Sequence, residues 1–418
     1  MFVRLRLAGI AASIAVASGS AFGADEWTQF LGPQAAATAD VSRDLPREWD
    51  ETEGILWKVD TPGLGWSSPV VSGGRVYLTS AVPDGQRGHR LQLLCYDAAD
   101  GKQVFESTAL EQPPESPGIH SKNSHASPTA IVADGRVYVH FGHQGTACLS
   151  GEDGSPIWKN REHRYEPVHG NGGSPLLIAG QLIFTCDGAT APYTVSLDAR
   201  NGQELWRVDR GVESDKHFSF CTPVAVEAEG RTMIISAGSD VVQAIDLRGN
   251  VVWSANYKGF SVTPRPLFHR GLLYLSTGFG GTKLLAIDPT GSGDVTGTHL
   301  RWEYGSNVPT TPSPVAIGDA VMIISDSGVA TALAADDGSV HWRQRIGGNH
   351  SATPLVHGEQ IYLMAEDGTC TLWQLNGGKP TKVSENKLPG RVFASPVPYA
   401  GDLLIRTESS LYRIAGKR

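Results

Sequence analysis

The chain is poor in the residues that most often announce a redox, metal or membrane protein. Only five of its 418 residues are cysteine: Cys95, Cys148, Cys186, Cys221 and Cys370. None is adjacent to another and none stands in a Cys-x-x-Cys pair, which excludes a dithiol motif and the usual cysteine zinc clusters. Charge is scarce as well, at 19% of residues, and its balance is acidic, with a formal net charge of −8. An acidic chain is a poor partner for nucleic acid or an anionic membrane surface. Beyond the first two dozen residues no apolar run approaches the roughly 20 residues that a membrane helix needs, so no membrane span is expected. Gly-x-Ser-x-Gly, a phosphate loop, His-Glu-x-x-His and a dinucleotide fingerprint are all missing. Thirteen histidines leave general acid–base chemistry open but assign it to no residue.

The first 23 residues read as a secretory signal. Arg4 and Arg6 form the positive start, Leu7 to Ala17 the short apolar stretch, and Ala21-Phe22-Gly23 a small-residue cleavage site. No cysteine follows that site, which argues against a lipid anchor. Export to the periplasm or beyond is therefore expected, with a mature net charge near −10 once Arg4 and Arg6 are removed. Residues 24–49 read as an extension and 50–418 as one domain.

What the chain has in quantity is glycine and proline, 49 and 25 residues, and they recur at fixed places. Eight Ser-Pro or Thr-Pro steps, at Pro69, Pro128, Pro175, Pro223, Pro264, Pro314, Pro354 and Pro396, open units of about 40 to 50 residues. Each unit runs through short apolar stretches broken by glycine turns, and most close on Asp/Asn-Gly and an aromatic residue. That period, with four strands to a unit, predicts an all-β, eight-bladed β-propeller of four-stranded antiparallel blades. Proline suits a strand start on the channel edge, where no ladder donor is needed. The residues beside it are small, as crowding at the axis requires. The aromatic residues Phe105, Trp158, Trp206, Trp253, Trp302 and Trp342 should fill the wedges between blades. Trp57 looks like another outer-strand residue but precedes the first unit, while the last unit has only three strands. The last blade should therefore be closed by the N-terminal strand. The cysteines of third strands (Cys95, Cys148, Cys370) read as core; an oxidising compartment would allow Cys186 and Cys221 to pair, and the sequence does not supply the geometry that decides whether they do.

The segment Leu197-Asp198-Ala-Arg-Asn201-Gly202-Gln-Glu-Leu-Trp206 resembles the pyrroloquinoline-quinone (PQQ) type repeat, as do Tyr96-Asp97-Ala-Ala-Asp100-Gly101 and Ala286-Ile287-Asp288. The resemblance spans essentially the whole mature chain. It is to the PQQ-binding-like propellers, and more distantly to quinoprotein alcohol dehydrogenases and the propeller lipoprotein of outer-membrane barrel assembly. It implies an eight-bladed fold and admits PQQ as cofactor, with Ca²⁺ only alongside it. The adjacent cysteine pair of many such dehydrogenases is missing, and their calcium ligands and Asp base map onto no residue here. The resemblance thus favours a ligand-binding or protein-interaction scaffold over a quinoprotein oxidoreductase of alcohols or sugars.

In a propeller the loops from each outer strand to the next inner strand gather at one mouth of the channel. Those loops supply Trp66, Lys122, Asn123, His125, His169, Asn171, Lys216, His217, Arg265, Asn349, His350 and Arg391 as candidate ligand-binding residues. Three readings compete. The cations Lys122, Lys216, Arg265 and Arg391 suit a carboxylate of an anionic or quinone-like small molecule. The histidines suit a metal, although His120 and His125 lack a recognised ligand spacing. Or these groups cap strands and line a wet channel. The expected partner is a small molecule or a protein at the mouth. The loop Asp288 to Asp294 alternates oxygen donors but lacks the later glutamate of a calcium hand, and reads as an extended turn.

Overall fold

A computed structural model of the protein describes residues 25–39, 42–85 and 88–416; the expected signal peptide lies outside them. The chain folds into eight antiparallel four-stranded sheets arranged as a ring. Blade 1 contains Val70–Ser72, Arg75–Pro83, His89–Asp97 and Gln103–Gln112, from inner to outer strand, and blades 2 to 7 follow in chain order. The only helix among the described residues is a single 3₁₀ turn, Gly142–Gln144. Second and third strands are buried almost throughout, whereas outer strands alternate, as in Glu204–Asp209. A half-buried strand shows that period of two because successive side chains point to opposite faces.

Closure occurs as the sequence implies. Ile55–Asp60 pairs antiparallel with Ser410–Ile414 and supplies the outer strand of blade 8. Blades then interlock through one repeated contact. In five of the eight blades the outer-strand tryptophan (Trp57, Trp158, Trp206, Trp253 or Trp302) donates its indole N–H to a carbonyl in the third hairpin of the next blade. Trp57 donates to Ala98 O at 3.0 Å, Trp158 to Ala199 O at 3.0 Å and Trp302 to Ala335 O at 2.9 Å. The turn glycine is required on two grounds. Gly202 has φ +76°, and a Cβ there would stand 2.5 Å from the Trp158 ring. The Asp/Asn-Gly turn and the tryptophan of the repeat are therefore two halves of one interblade joint.

Blade 4 departs from the simple pattern. Gly293–Asp294, from the long third hairpin of blade 5, adds a short parallel strand to the outer edge at Trp253 and Ser254. The Asp288–Asp294 loop is a turn, as expected, and it also caps this sheet edge. Cys186 and Cys221 are buried and unpaired, as are the other three cysteines, so the pairing that an oxidising compartment would allow is not formed.

Residues 25–39 cross the end of the channel opposite the loop-rich mouth. Trp27 exchanges backbone hydrogen bonds with Val71 of blade 1, Thr28 O accepts from Val132 N of blade 2, and Ala37 and Ala39 bond Val356 of blade 7. The chain then runs outward, where Asn386 of blade 7 accepts from Trp49 N and donates to Arg47 O. From there it enters the outer strand of blade 8. Trp27, Leu45, Trp49 and Trp57 share one core cluster with Leu403, Leu411 and Tyr412.

Trp57→Ala removes both the indole packing on Gly101 and the bond to Ala98 O. It should cost about 3–5 kcal/mol, read as a lower urea midpoint, and deletion of residues 50–60 should lower the melting temperature further. An unchanged midpoint in both variants would refute closure by this strand.

Candidate functional site

The inner strands present one edge to the axis, and the backbone N–H groups on that edge have no strand partner. Side-chain hydroxyls of the neighbouring blade take that role. Ser68 N donates to Thr129 Oγ1 (3.0 Å), Thr129 N to Ser174 Oγ (2.9 Å) and Ser174 N to Thr222 Oγ1 (2.9 Å). Beyond blade 5, Arg265 N donates to Ser313 Oγ (3.0 Å) and Ser313 N to Thr353 Oγ1 (3.2 Å). Thr353 N then donates to Ser395 Oγ (3.0 Å), and Ser395 N returns to Ser68 Oγ (3.1 Å). Seven such bonds circle the channel. The eighth position is held by Arg265, which has no hydroxyl to offer Thr222.

This ring corrects the reading of the Ser/Thr-Pro step in two blades. In six blades the proline directly precedes the inner strand. In blades 2 and 5 the equivalent residues are Thr129 and Arg265, two positions after Ser127 and Thr263, as the inner strands Ile131–Ala133 and Leu267–His269 show. In seven of the eight units the ring position is a hydroxyl residue, whichever side of the proline it stands on.

Residues two positions before the ring share its face, since side chains in extended chain repeat every second residue. They are Trp66, Ser127, Gly172, Phe220, Thr263, Thr311, Ser351 and Phe393, and all line one cavity with the seven ring hydroxyls. Above them stand His120, Lys122, Asn123, His169, Phe218, Phe260 and Phe279. Below them Phe30 of the N-terminal segment forms the floor. The channel is thereby a blind cup of about 420 Å³, within the range of small-molecule sites.

Two aromatic walls face each other. Trp66 and Phe393, from blades 1 and 8, have ring centroids 4.6 Å apart. Phe218, Phe220, Phe260 and Phe279, from the loops of blades 4 and 5, form a chain of rings at 5.9–6.1 Å. In an eight-bladed ring those positions are opposite. A cation lies over each wall: Arg391 is 5.5 Å from the Trp66 ring and Lys216 is 3.9 Å from that of Phe260. The 113–130 loop straps part of the mouth. Its Lys122 pairs with Glu366 of blade 7 at 2.7 Å, and Glu366 also accepts from Ser351 Oγ. His120 N and Asn123 Nδ2 both donate to His169 O, which holds His169 in the left-handed region at φ 65°.

The candidate residues therefore separate. Trp66, Lys122, Asn123 and His169 line the cup. Arg265 completes the ring at the floor; its Nη1 donates to Phe30 O (2.9 Å) and its Nη2 to Pro223 O (3.3 Å). Arg391 and Lys216 cover the walls, and Arg391 also pairs with Glu408. Neither these three nor the remaining five are among the residues that line the cup. His350 is buried with its ring nitrogens at Met364 O and Gly347 O, both at 2.9 Å. His125 stacks on His89 at 4.5 Å and meets Gln112. Asn171 packs on the Gly142 turn. Asn349 O accepts from Glu366 N, and His217 keeps a buried, partnerless Nδ1. Sequence reasoning weighted polar loop residues and missed the phenylalanines and the hydroxyl tier. The signal available was spacing: an aromatic two residues before the repeat's Ser or Thr.

Comparison with known proteins follows this geometry. The family model described as outer membrane protein assembly factor BamB matches residues 47–206, 192–304 and 293–410. The chain belongs to this family of PQQ-type propellers. It is 27% identical over 205 residues to the BamB of Moranella endobia, covering 44% of this chain and 50% of that protein. It is 26% identical over 220 residues to the BamB of Yersinia pestis, covering 48% and 53%. The chain thus spans about half the length of the curated relatives it matches. Among solved structures, BamB from Moraxella catarrhalis superposes with a TM-score of 0.63 at 14% identity, over 87% of this chain and 98% of that one. A europium-containing methanol dehydrogenase gives 0.65 at 10% identity, over 94% and 98%. At such identities the fold alone is shared.

The cup does not fit PQQ. That cofactor is a flat quinone with three carboxylates. No Asp or Glu lines the cup, so an oxygen set for an accompanying Ca²⁺ is not at hand. Among the described residues no group of three or more His, Cys, Asp or Glu is placed to hold a metal. Lys122 and Arg391 are already engaged with carboxylates of the protein.

A histidine cluster beside the cup sets a pH dependence of stability. His140 is buried against Phe184 with its Nδ1 at Thr146 Oγ1, 2.9 Å away. Burial first, then His163 and His143, hold its imidazole down to about 3. Its folded value lies below the unfolded value of roughly 6.5. The unfolded chain therefore takes up the proton first, and stability falls as pH drops from about 6.5 towards 3. Urea midpoints at pH 7, 6 and 5 should decline, and His140→Gln should flatten the decline. Identical slopes for both proteins would exclude His140 as a source.

Proposed function

We propose that this protein is an exported, periplasmic scaffold that holds its partner at the loop-rich mouth of the ring and carries out no quinone chemistry. The observation that carries this reading is the make-up of the cup. Its lining is mostly aromatic rings and neutral hydroxyls, with Asn123, the two histidines His120 and His169, and a lysine whose charge is met by Glu366. Such a surface excludes water and positions a guest, and it offers no proton acceptor poised on a nucleophile. Membership in the family described as an outer membrane protein assembly factor supports a docking role. No helix of the described residues is long and apolar enough to cross a membrane, in keeping with an extramembrane ring. Phe279, nearly half exposed at the rim, marks the face that would meet a partner.

Two measurements test the reading. Titration with PQQ and Ca²⁺, followed by absorbance and by dye reduction with alcohols and sugars, should give no turnover; turnover would overturn it. A photo-crosslinker placed at Phe279 should give a discrete protein adduct in intact cells, whereas one placed at Leu205 on the outer face should not. Equal labelling from both sites would remove the mouth as the docking face.

A further inference from the structure

A hydroxyl that accepts a hydrogen bond still holds its own proton. Each of the seven ring hydroxyls accepts from a neighbouring blade's N–H, and among the described residues none of them donates to the protein. Two hydroxyls of the tier above already donate, Ser127 Oγ to Asn123 Oδ1 and Ser351 Oγ to Glu366. All seven ring residues line the cup. The floor is therefore a circle of O–H donors, and a donor shut away from water without an acceptor is destabilising. A guest with a carbonyl oxygen supplies that acceptor.

Charge on the guest is disfavoured in both signs. No Asp or Glu lines the cup. Lys216 and Arg391 already lie over the aromatic walls, so a cation would meet like charge and no partner. An anion meets no free cation either. Lys122, the one lysine or arginine of the lining, is held by Glu366 at 2.7 Å. Arg265 stands outside the lining, on the Phe30 and Pro223 carbonyls. The walls constrain the body of the guest. Trp66 and Phe393 stand on one side and the rings from Phe218 to Phe279 on the other, which suits a flat aromatic ring between them. Phe30 shuts the floor, so a guest enters by the mouth and its leading end meets the hydroxyls. We propose that the cup binds an uncharged aromatic carbonyl compound, its ring between the walls and its carbonyl oxygen on the hydroxyl floor. The inference concerns the purified protein without a partner and does not depend on docking at the mouth.

Calorimetric titration of the purified mature protein with acetophenone tests it. Three flat analogues change only the group that meets the floor: α-methylstyrene replaces the carbonyl by a carbon–carbon double bond, benzoate makes the group an anion and benzamidinium a cation. Acetophenone should bind about tenfold more tightly than α-methylstyrene, which cannot accept the hydrogen bond. It should also outbind each ion by at least about tenfold, since neither charge finds a partner in the cup. Thr311→Phe fills the cup from its wall, away from the ring hydroxyls, and should abolish binding of both neutral probes. The double variant Ser174→Ala, Ser395→Ala should narrow the advantage of the ketone while the affinity for α-methylstyrene holds; should that variant fail to fold, the wild-type ratios and Thr311→Phe carry the test. Equal affinity for ketone and hydrocarbon, tighter binding of either ion, no binding of the ketone at millimolar concentration, or ketone binding untouched by Thr311→Phe would overturn the proposal.

Discussion

An inner propeller strand leaves a row of peptide N–H groups facing the axis, and the whole ring is organised by how they are satisfied. In seven of the eight blades a hydroxyl accepts from the blade before it, and the chain of acceptors passes from Ser395 to Ser68 and is interrupted at Arg265. Each bond taken alone contributes only about 1 kcal/mol. The circle has larger consequences. It fixes the spacing of eight strand starts, and it turns the same seven side chains into the floor of a cavity. The residues that make the fold and those that make the site are, at this level, the same.

Around the outside a second joint repeats, tryptophan into glycine turn, from Trp57 on Gly101 to Trp302 on Gly338. The inner joint is polar and narrow, the outer one apolar and broad, which matches a wedge that widens from axis to rim. A methanol dehydrogenase and a BamB share the ring at 10% and 14% identity.

The fold was legible because its determinants are local and periodic. Turn glycines, alternating strands and the outer tryptophans recur at fixed offsets, and the displaced Trp57 was enough to reveal how the ring closes. The site was only partly legible. His350 and His125 stand in the right loops, but one turns its ring to backbone carbonyls and the other to His89 and Gln112. Loop position says which end of the channel a residue occupies and not which way it faces. Phe218, Phe260 and Phe279 read as ordinary apolar residues because nothing local separates a core ring from a cavity ring. Phe30 was the hardest to foresee, since its segment belongs to no repeat and reaches the axis only through pairing with blades 1, 2 and 7. Arg265 was singled out for its charge, and it is the one position where the hydroxyl rule is broken.

The N-terminal segment does two jobs at opposite radii: it seals the axis with Phe30 and completes the rim with Ile55–Asp60. Both depend on parts of the chain made much later, since Ile55 pairs with Ile414 and Ala39 with Val356. Contacts so distant along the chain form late and slowly. Blades 1 to 7 are each contiguous and can be completed in order, while the first-made segment waits for the last. The floor thus depends on pairing with a strand as distant as Val356, and the closure of the ring on pairing with Ile414.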